Sequence, residues 1–245
     1  MATFLSKIAS VLSSLAGIAA PRLCAVCGEP LVEGERGICL KCVVALPRTG
    51  LHLSAARNEI NSRITDDACA GRAAAWFRYN PSSVFAEMIR TAKYRDCPGL
   101  ARDLGILYGC ELSAAPAPRM ADDVDLLLPV PMHHRKLLAR GYNQSREIAL
   151  GISEATGIPV GDNLVALRSH RTQTRRSRDS RRRNVAGIFA VEHPSELRGL
   201  RVAVVDDIIT SGATVTECCR VLSKATGEDV AVLALGVAGM SPSTP

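Results

Sequence analysis

The sequence predicts an α/β fold: a mostly parallel sheet with helices on both faces, preceded by a zinc ribbon and helices. Three observations predict it. From Asp125 onward, short apolar runs alternate with helical patterns, the order that builds a parallel sheet covered on both sides. Within that region Val202–Val205 is long enough for a buried strand and too short for a helix. It ends in Asp206-Asp207 and leads through the small, hydroxyl-bearing turn Thr210-Ser211-Gly212-Ala213-Thr214 into a helical pattern. Near the other end, Cys24 and Cys27 are separated by eleven residues from Cys39 and Cys42. Two such pairs suit a tetrahedral zinc ion, and four thiolates with no open position describe a structural site.

The elements follow in chain order. Apolar residues at Phe4, Leu5, Ile8, Val11, Leu12, Leu15 and Ile18 share one helical face, which predicts an amphipathic helix over 1–20. Lys7 and Ser10 interrupt it, so neither a signal peptide nor a transmembrane span is expected. The ribbon occupies 21–46, and 47–122 reads as a connecting region of helices and one strand. In that region a mixed polar linker runs to about residue 68, a strand covers Ala73–Tyr79, and helices cover Phe85–Tyr94 and Leu100–Leu112. The α/β domain fills 123–245. Its expected parts are a strand at Leu126–Val130, a basic loop from Pro131 to Arg140 and a helix from Asn143 to Ala155. Strands at Asn163–Leu167 and Gly187–Val191 follow, then the strand and helix of the motif above, and a last strand ending at Val237.

Composition narrows the function. Aromatic residues make up 4% of the chain, too few for a stacking platform for single-stranded nucleic acid. Net charge is +6, but residues 168–183 hold eight Arg against one Asp, leaving the remainder at about −1. Attraction to polyanions should therefore centre on that segment, with Arg175, Arg176, Arg181 and Arg182 in its middle. Nine cysteines, four of them in the metal pattern and most others among apolar neighbours, fit buried thiols in a reducing, cytoplasmic compartment.

The chemistry should gather at the carboxyl edge of the sheet. A turn that feeds a helix N-terminus aims backbone N–H groups and the positive end of the helix dipole at a phosphate. The carboxylates just before it suit the hydroxyls of a sugar, so the stretch reads as a site for a phosphorylated ribose. The cationic stretch Met132-His133-His134-Arg135 follows another strand and suits pyrophosphate.

With those residues in view, the 201–215 stretch resembles the 5-phosphoribosyl-1-pyrophosphate (PRPP) motif of type I phosphoribosyltransferases. Most of the chain resembles the ComF family, bacterial proteins linked to natural competence and DNA uptake. The resemblance rests on the four cysteines, Ile89–Arg95, Pro129–Arg135, Arg140–Gln144, Gln173-Thr174 with Arg182–Val185, and Val204–Asp207. It implies a zinc ribbon on a type I phosphoribosyltransferase-like domain. Asp206 and Asp207 would hold the ribose hydroxyls, Thr210, Ser211, Gly212, Ala213 and Thr214 the 5′-phosphate, and Met132–Arg135 the pyrophosphate, with Mg²⁺ accompanying PRPP. The Arg-rich segment sits where such enzymes carry a flexible loop that closes over the reaction.

Two readings stay open at this level. One is an enzyme that transfers phosphoribose to a nitrogen acceptor and releases pyrophosphate. The other is a non-catalytic competence factor that binds single-stranded DNA and uses the fold to recognise phosphates. The sequence shows no evident general acid or base and does not name the acceptor.

Overall fold

The computed structural model describes residues 22–54, 57–64, 70–94, 97–167 and 187–239. The expected helix over 1–20 and the Arg-rich segment, with Arg175, Arg176, Arg181 and Arg182, lie outside them. Six strands are described: β1 (Ala70–Tyr79), β2 (Leu126–Pro129), β3 (Leu164–Ala166), β4 (Phe189–Val191), β5 (Val202–Ile209) and β6 (Val230–Ala238). So are six α-helices: α1 (Leu40–Ala45), α2 (Phe85–Tyr94), α3 (Pro98–Ala114), α4 (His134–Arg140), α5 (Gln144–Thr156) and α6 (Ala213–Thr226).

Four parallel strands form the central sheet in the order β1-β6-β5-β2. Its strands are apolar almost throughout because both faces are covered. Alternate residues of β5 and β6 point to opposite sides. Val202, Val204, Val230, Val232 and Ala234 pack with Val215, Cys218, Cys219 and Leu222 of α6. Ala203, Val205, Leu233 and Leu235 pack with Met88 of α2, Leu104 and Tyr108 of α3, and Ile148 and Ile152 of α5. The ribbon belongs to this second core, since Ile38, Cys42 and Leu46 lie in the same cluster as Trp76 and Tyr108.

Against the expected elements, four differences matter. The strand expected in the connecting region is an edge strand of the central sheet, paired with β6 from Ala73↔Val232 to Tyr79↔Ala238. Strand β5 does not stop at Val205: Asp206, Ile208 and Ile209 continue the ladder opposite Ala234, Gly236 and Val237. The carboxylates interrupt the apolar pattern but not the backbone pairing. The strands expected at 163–167 and 187–191 leave the sheet and pair antiparallel with each other, Leu164 opposite Val191. In chain order, the Arg-rich segment lies between these two strands.

The fourth difference is in the basic loop, whose last seven residues, His134–Arg140, are helix α4. His133 caps it by accepting a hydrogen bond on Nδ1 from the Arg135 N–H at 3.3 Å. Gly141, with φ of 84°, ends it in the left-handed conformation that glycine adopts without strain. Among the remaining cysteines, Cys218 and Cys219 are buried as expected, whereas Cys97 and Cys110 are exposed.

Candidate functional site and metal centre

After β2 the chain turns to α5 on one face of the sheet, and after β5 it turns to α6 on the other. Adjacent strands whose connections leave in opposite directions open a crevice at their carboxyl ends, where open α/β sheets place ligands. A cavity of about 280 Å³ lies there, lined by Asp206, Asp207, Met132, His133, Thr214 and Lys93 among others. A second hollow of about 30 Å³ is lined by Thr210–Val215 and shares Asp206, Ile208 and Thr214 with the first.

The small hollow is built by the turn before α6. Gly212 has φ of 80° and caps the helix. A Cβ there would lie 2.8 Å from the backbone oxygen of Arg63, so no other residue fits. Arg63 itself is 3% exposed. It donates from Nη1 to the Thr210 carbonyl at 2.7 Å and from Nη2 to the Ala238 carbonyl at 2.6 Å. It thus fastens the turn to the ends of β5 and β6. Nothing in the sequence around Arg63 announced this brace.

The acidic pair sits inside β5 on a fixed frame. Asp206 Oδ1 accepts from the Asp207 N–H at 2.8 Å and from Ser145 Oγ at 3.3 Å. Asp207 Oδ1 accepts from the Ile208 N–H at 2.7 Å, and Lys93 of α2 forms an ion pair with Asp207 Oδ2. Burial, and then the charge of Asp207, push the Asp206 carboxyl up to about 7. Such a group exchanges a proton near neutrality, the acid–base capacity that the sequence alone did not reveal. Burial opposes the charge on Lys93, but Asp207 outweighs it and holds the ammonium above its usual pKa.

Opposite this pair, Asn143 caps α5 by accepting from the Ser145 N–H at 3.1 Å and donates to the Val130 carbonyl at 3.0 Å. The start of α5 is therefore tied to Val130, the residue after β2, and to β5 through Ser145. Gln144, next to this cap, is 2% exposed and lines the cavity. Neither of its amide atoms has a partner among the described residues. A buried amide left unpaired in a cavity wall is a recognition group for something that enters.

Of the stretch expected to face pyrophosphate, Met132 and His133 line the cavity, while His134 and Arg135 do not. Helix α4 is the reason. Residues three, four and seven apart share a helical face, so His133 brings Lys136 and Arg140 to the cavity and turns the intervening residues away. Burial and the neighbouring cations His134, Arg135 and Lys136 lower the pKa of His133. Burial and Arg140 do the same to Lys136. His133, Lys136 and Arg140 give this wall a basic character.

The cysteines converge as their spacing predicts. All four sulfurs of Cys24, Cys27, Cys39 and Cys42 lie within 4.8 Å of one another. The Cys27–Cys39 sulfur separation is 3.7 Å, and a tetrahedron with Zn–S bonds of roughly 2.3 Å has an edge of about 3.8 Å. Burial opposes ionisation of Cys24, but N–H groups of Cys27, Cys39 and Val26 prevail and bring it down to about 6. The donor set and its dimensions fit zinc. The carboxylate pair gives Mg²⁺ a poorer fit, because three of its four oxygens already carry partners.

No family model matches the chain. Competence protein F of Haemophilus influenzae is 34% identical over 113 residues, which cover 45% of this chain and 49% of that protein. The chain thus spans about half the length of that relative. DNA utilization protein YhgH of Salmonella typhimurium is 26% identical over 208 residues, covering 82% of this chain and 91% of its own length. The YhgH protein of Escherichia coli K12 is 27% identical over 219 residues, with the same coverage. Among solved structures, a glutamine PRPP amidotransferase from B. subtilis, complexed with ADP and GMP, matches 55% of this chain and 26% of its own. Its sequence identity is 25% and its TM-score 0.37. The AQ2163 protein from Aquifex aeolicus matches 67% of this chain and 88% of its own at 11% identity, with a TM-score of 0.37. Among the described residues, no helix is long and apolar enough to cross a membrane.

Proposed function

The chain is homologous to competence protein F and to the DNA utilization proteins, and on that premise we propose that it is a PRPP-binding protein of DNA uptake, built to transfer phosphoribose to a nitrogen acceptor. One observation carries this reading. A sugar-sized cavity at the switch point between β2 and β5 joins an acidic pair, a cation-lined wall and a glycine-capped helix N-terminus. Each part suits one part of PRPP. The 5′-phosphate would sit against Thr210–Thr214, where backbone N–H groups converge. The ribose hydroxyls would donate to Asp206 and Asp207. The diphosphate would face Lys136 and Arg140, with Met132 and His133 beside it, and would relieve the crowding of positive charge there. Asp206, poised near neutrality, would take the proton that the acceptor nitrogen releases as pyrophosphate departs. The cysteine cluster would hold one structural zinc ion. The proposed compartment is the cytoplasm, in keeping with reduced cysteines.

A second reading is favoured by the concentration of eight Arg within residues 168–183 and by the relatives' name, DNA utilization protein. In it, the Arg-rich segment contacts single-stranded DNA that the competence machinery delivers. The two readings are compatible, since the hairpin of β3 and β4 leads out beside the cavity, with Ala166 and Phe189 in its lining.

The deciding experiment is a thermal shift with PRPP. Ligand at about 100 times its dissociation constant should add roughly 2.7 kcal/mol to stability. Asp206→Asn combined with Asp207→Asn should abolish the shift while the protein stays folded. A double variant that still responds fully to PRPP would overturn the assignment of this cavity.

A further inference from the structure

The acidic pair does not offer a divalent cation a free bed. Asp206 Oδ1 serves the Asp207 N–H and Ser145 Oγ. Asp207 Oδ1 serves the Ile208 N–H, and Asp207 Oδ2 carries the ammonium of Lys93. Magnesium demands near-octahedral oxygen coordination and gives up its waters reluctantly. Here three of the four carboxylate oxygens already accept a hydrogen bond or hold the ammonium, and that ammonium is a cation seated on the pair itself.

Lys93 holds that seat for physical reasons. It stands in the last turn of α2, whose apolar side (Met88, Ile89, Ala92) is locked into the core. Its side chain is 26% exposed, so it reaches both Asp207 and the open space of the cavity. An ammonium has three donors; one is spent on Asp207 and the others are available to phosphate oxygens. Lys136 and Arg140 stand across the same cavity.

We infer that Lys93 is the built-in counter-cation of this site: it bridges Asp207 and the diphosphate and supplies the positive charge that Mg²⁺ is expected to bring with PRPP, so that PRPP binds without Mg²⁺. This rests on reading the cavity as a PRPP site. Lys93 is then a binding residue that contacts the ligand, and its removal should turn a metal-independent site into a metal-dependent one, because the freed Asp207 oxygen becomes available to Mg²⁺.

The test is equilibrium binding of PRPP to the full-length protein in buffer stripped of divalent cations by a chelating resin, and again with millimolar Mg²⁺. No soluble chelator is used, so a structural zinc stays in place. Wild type should bind with dissociation constants within about threefold of each other in the two buffers, and Lys93→Gln should bind at least about tenfold more weakly without Mg²⁺. Adding Mg²⁺ should restore most of the affinity of Lys93→Gln. Wild-type binding that appears only with Mg²⁺ would overturn the inference and leave the PRPP reading standing. So would a Lys93→Gln protein that matches wild type without metal. Wild type that ignores PRPP in both buffers would overturn the PRPP reading, and this inference with it. The wild-type comparison needs no variant, so misfolding of Lys93→Gln cannot shield the inference.

Discussion

Asp206 lies where burial and the charge of Asp207 both resist its ionisation, so its carboxyl titrates at about 7 rather than near 3.8. The folded protein therefore holds this proton more firmly than the unfolded chain does. Between those two values the folded state binds more protons, and stability must fall as pH rises through that window. Asp206→Asn removes the titration. Its free energy of unfolding should match wild type near pH 4 and exceed it above pH 7, by an amount on the order of 1 to 4 kcal/mol. Denaturation curves at several pH values check this; a difference independent of pH would contradict it. The adjacent carboxylates were legible in the sequence because they interrupt an apolar run before a hydroxyl-rich turn. Lys93 lies in the Ile89–Arg95 stretch that carries the resemblance, but its pairing with Asp207 was not legible, because a cation at the end of a helix is satisfied by the dipole alone. Gln144 carried no signal of its own. Only tertiary packing reveals a buried amide without partners.

Elements were easier to read where one period dominates and harder where a short segment is set by its neighbours. The strands of the sheet were legible as apolar runs, and α5 and α6 as helical patterns. Helix α4 has only seven residues, bracketed by a capping His133 and by Gly141, and its basic residues resemble those of a loop. The β3–β4 hairpin has three residues in each strand, too few for sequence to say which sheet they join. The crossing of α3 and α5 was equally hidden. There the helices touch backbone to backbone: a Cβ on Gly105 would lie 2.3 Å from the Ile148 carbonyl oxygen, and one on Gly151 would lie 2.1 Å from that of Arg102. Helix propensity alone would make Gly151→Ala stabilising by about 1 kcal/mol. Contact geometry should reverse the sign, since the helices must part and α5 carries the cap and Ser145 that frame the cavity. We expect Gly151→Ala to lose roughly 1–3 kcal/mol of stability and to weaken PRPP binding. Chemical denaturation measures the first effect, and a variant more stable than wild type would refute the argument.

At the scale of the whole molecule, the ribbon and the α/β region share one core, with Cys42 and Leu46 in the cluster that holds Trp76. Loss of metal should therefore be felt beyond the ribbon. Protein purified without added metal should carry about one zinc per chain, and Cys24→Ser should lose it and melt at a lower temperature. Undiminished zinc in that variant would exclude this cluster as the ligand set. Charge is distributed with the same asymmetry that the sequence displays. Residues 168–183 hold more than the entire net charge of +6, and they join the two strands of the hairpin beside the cavity. If single-stranded DNA binds this protein, that segment should dominate the contact, and affinity should fall steeply with salt as counterions are released. Each phosphate contact removed should flatten the log–log salt slope by roughly 0.7 for a single strand. Replacing Arg175, Arg176, Arg181 and Arg182 together with Ala should then flatten it by up to about 3 and weaken binding at low salt most. A loop that serves only to close over the phosphoribose site needs one or two cations, and eight exceed that need. If closure were its sole task, DNA affinity would be weak in both proteins and only PRPP turnover would fall. Filter binding of labelled single strands across a salt series separates the outcomes: an unchanged slope with unchanged affinity in the fourfold variant would remove DNA from this segment.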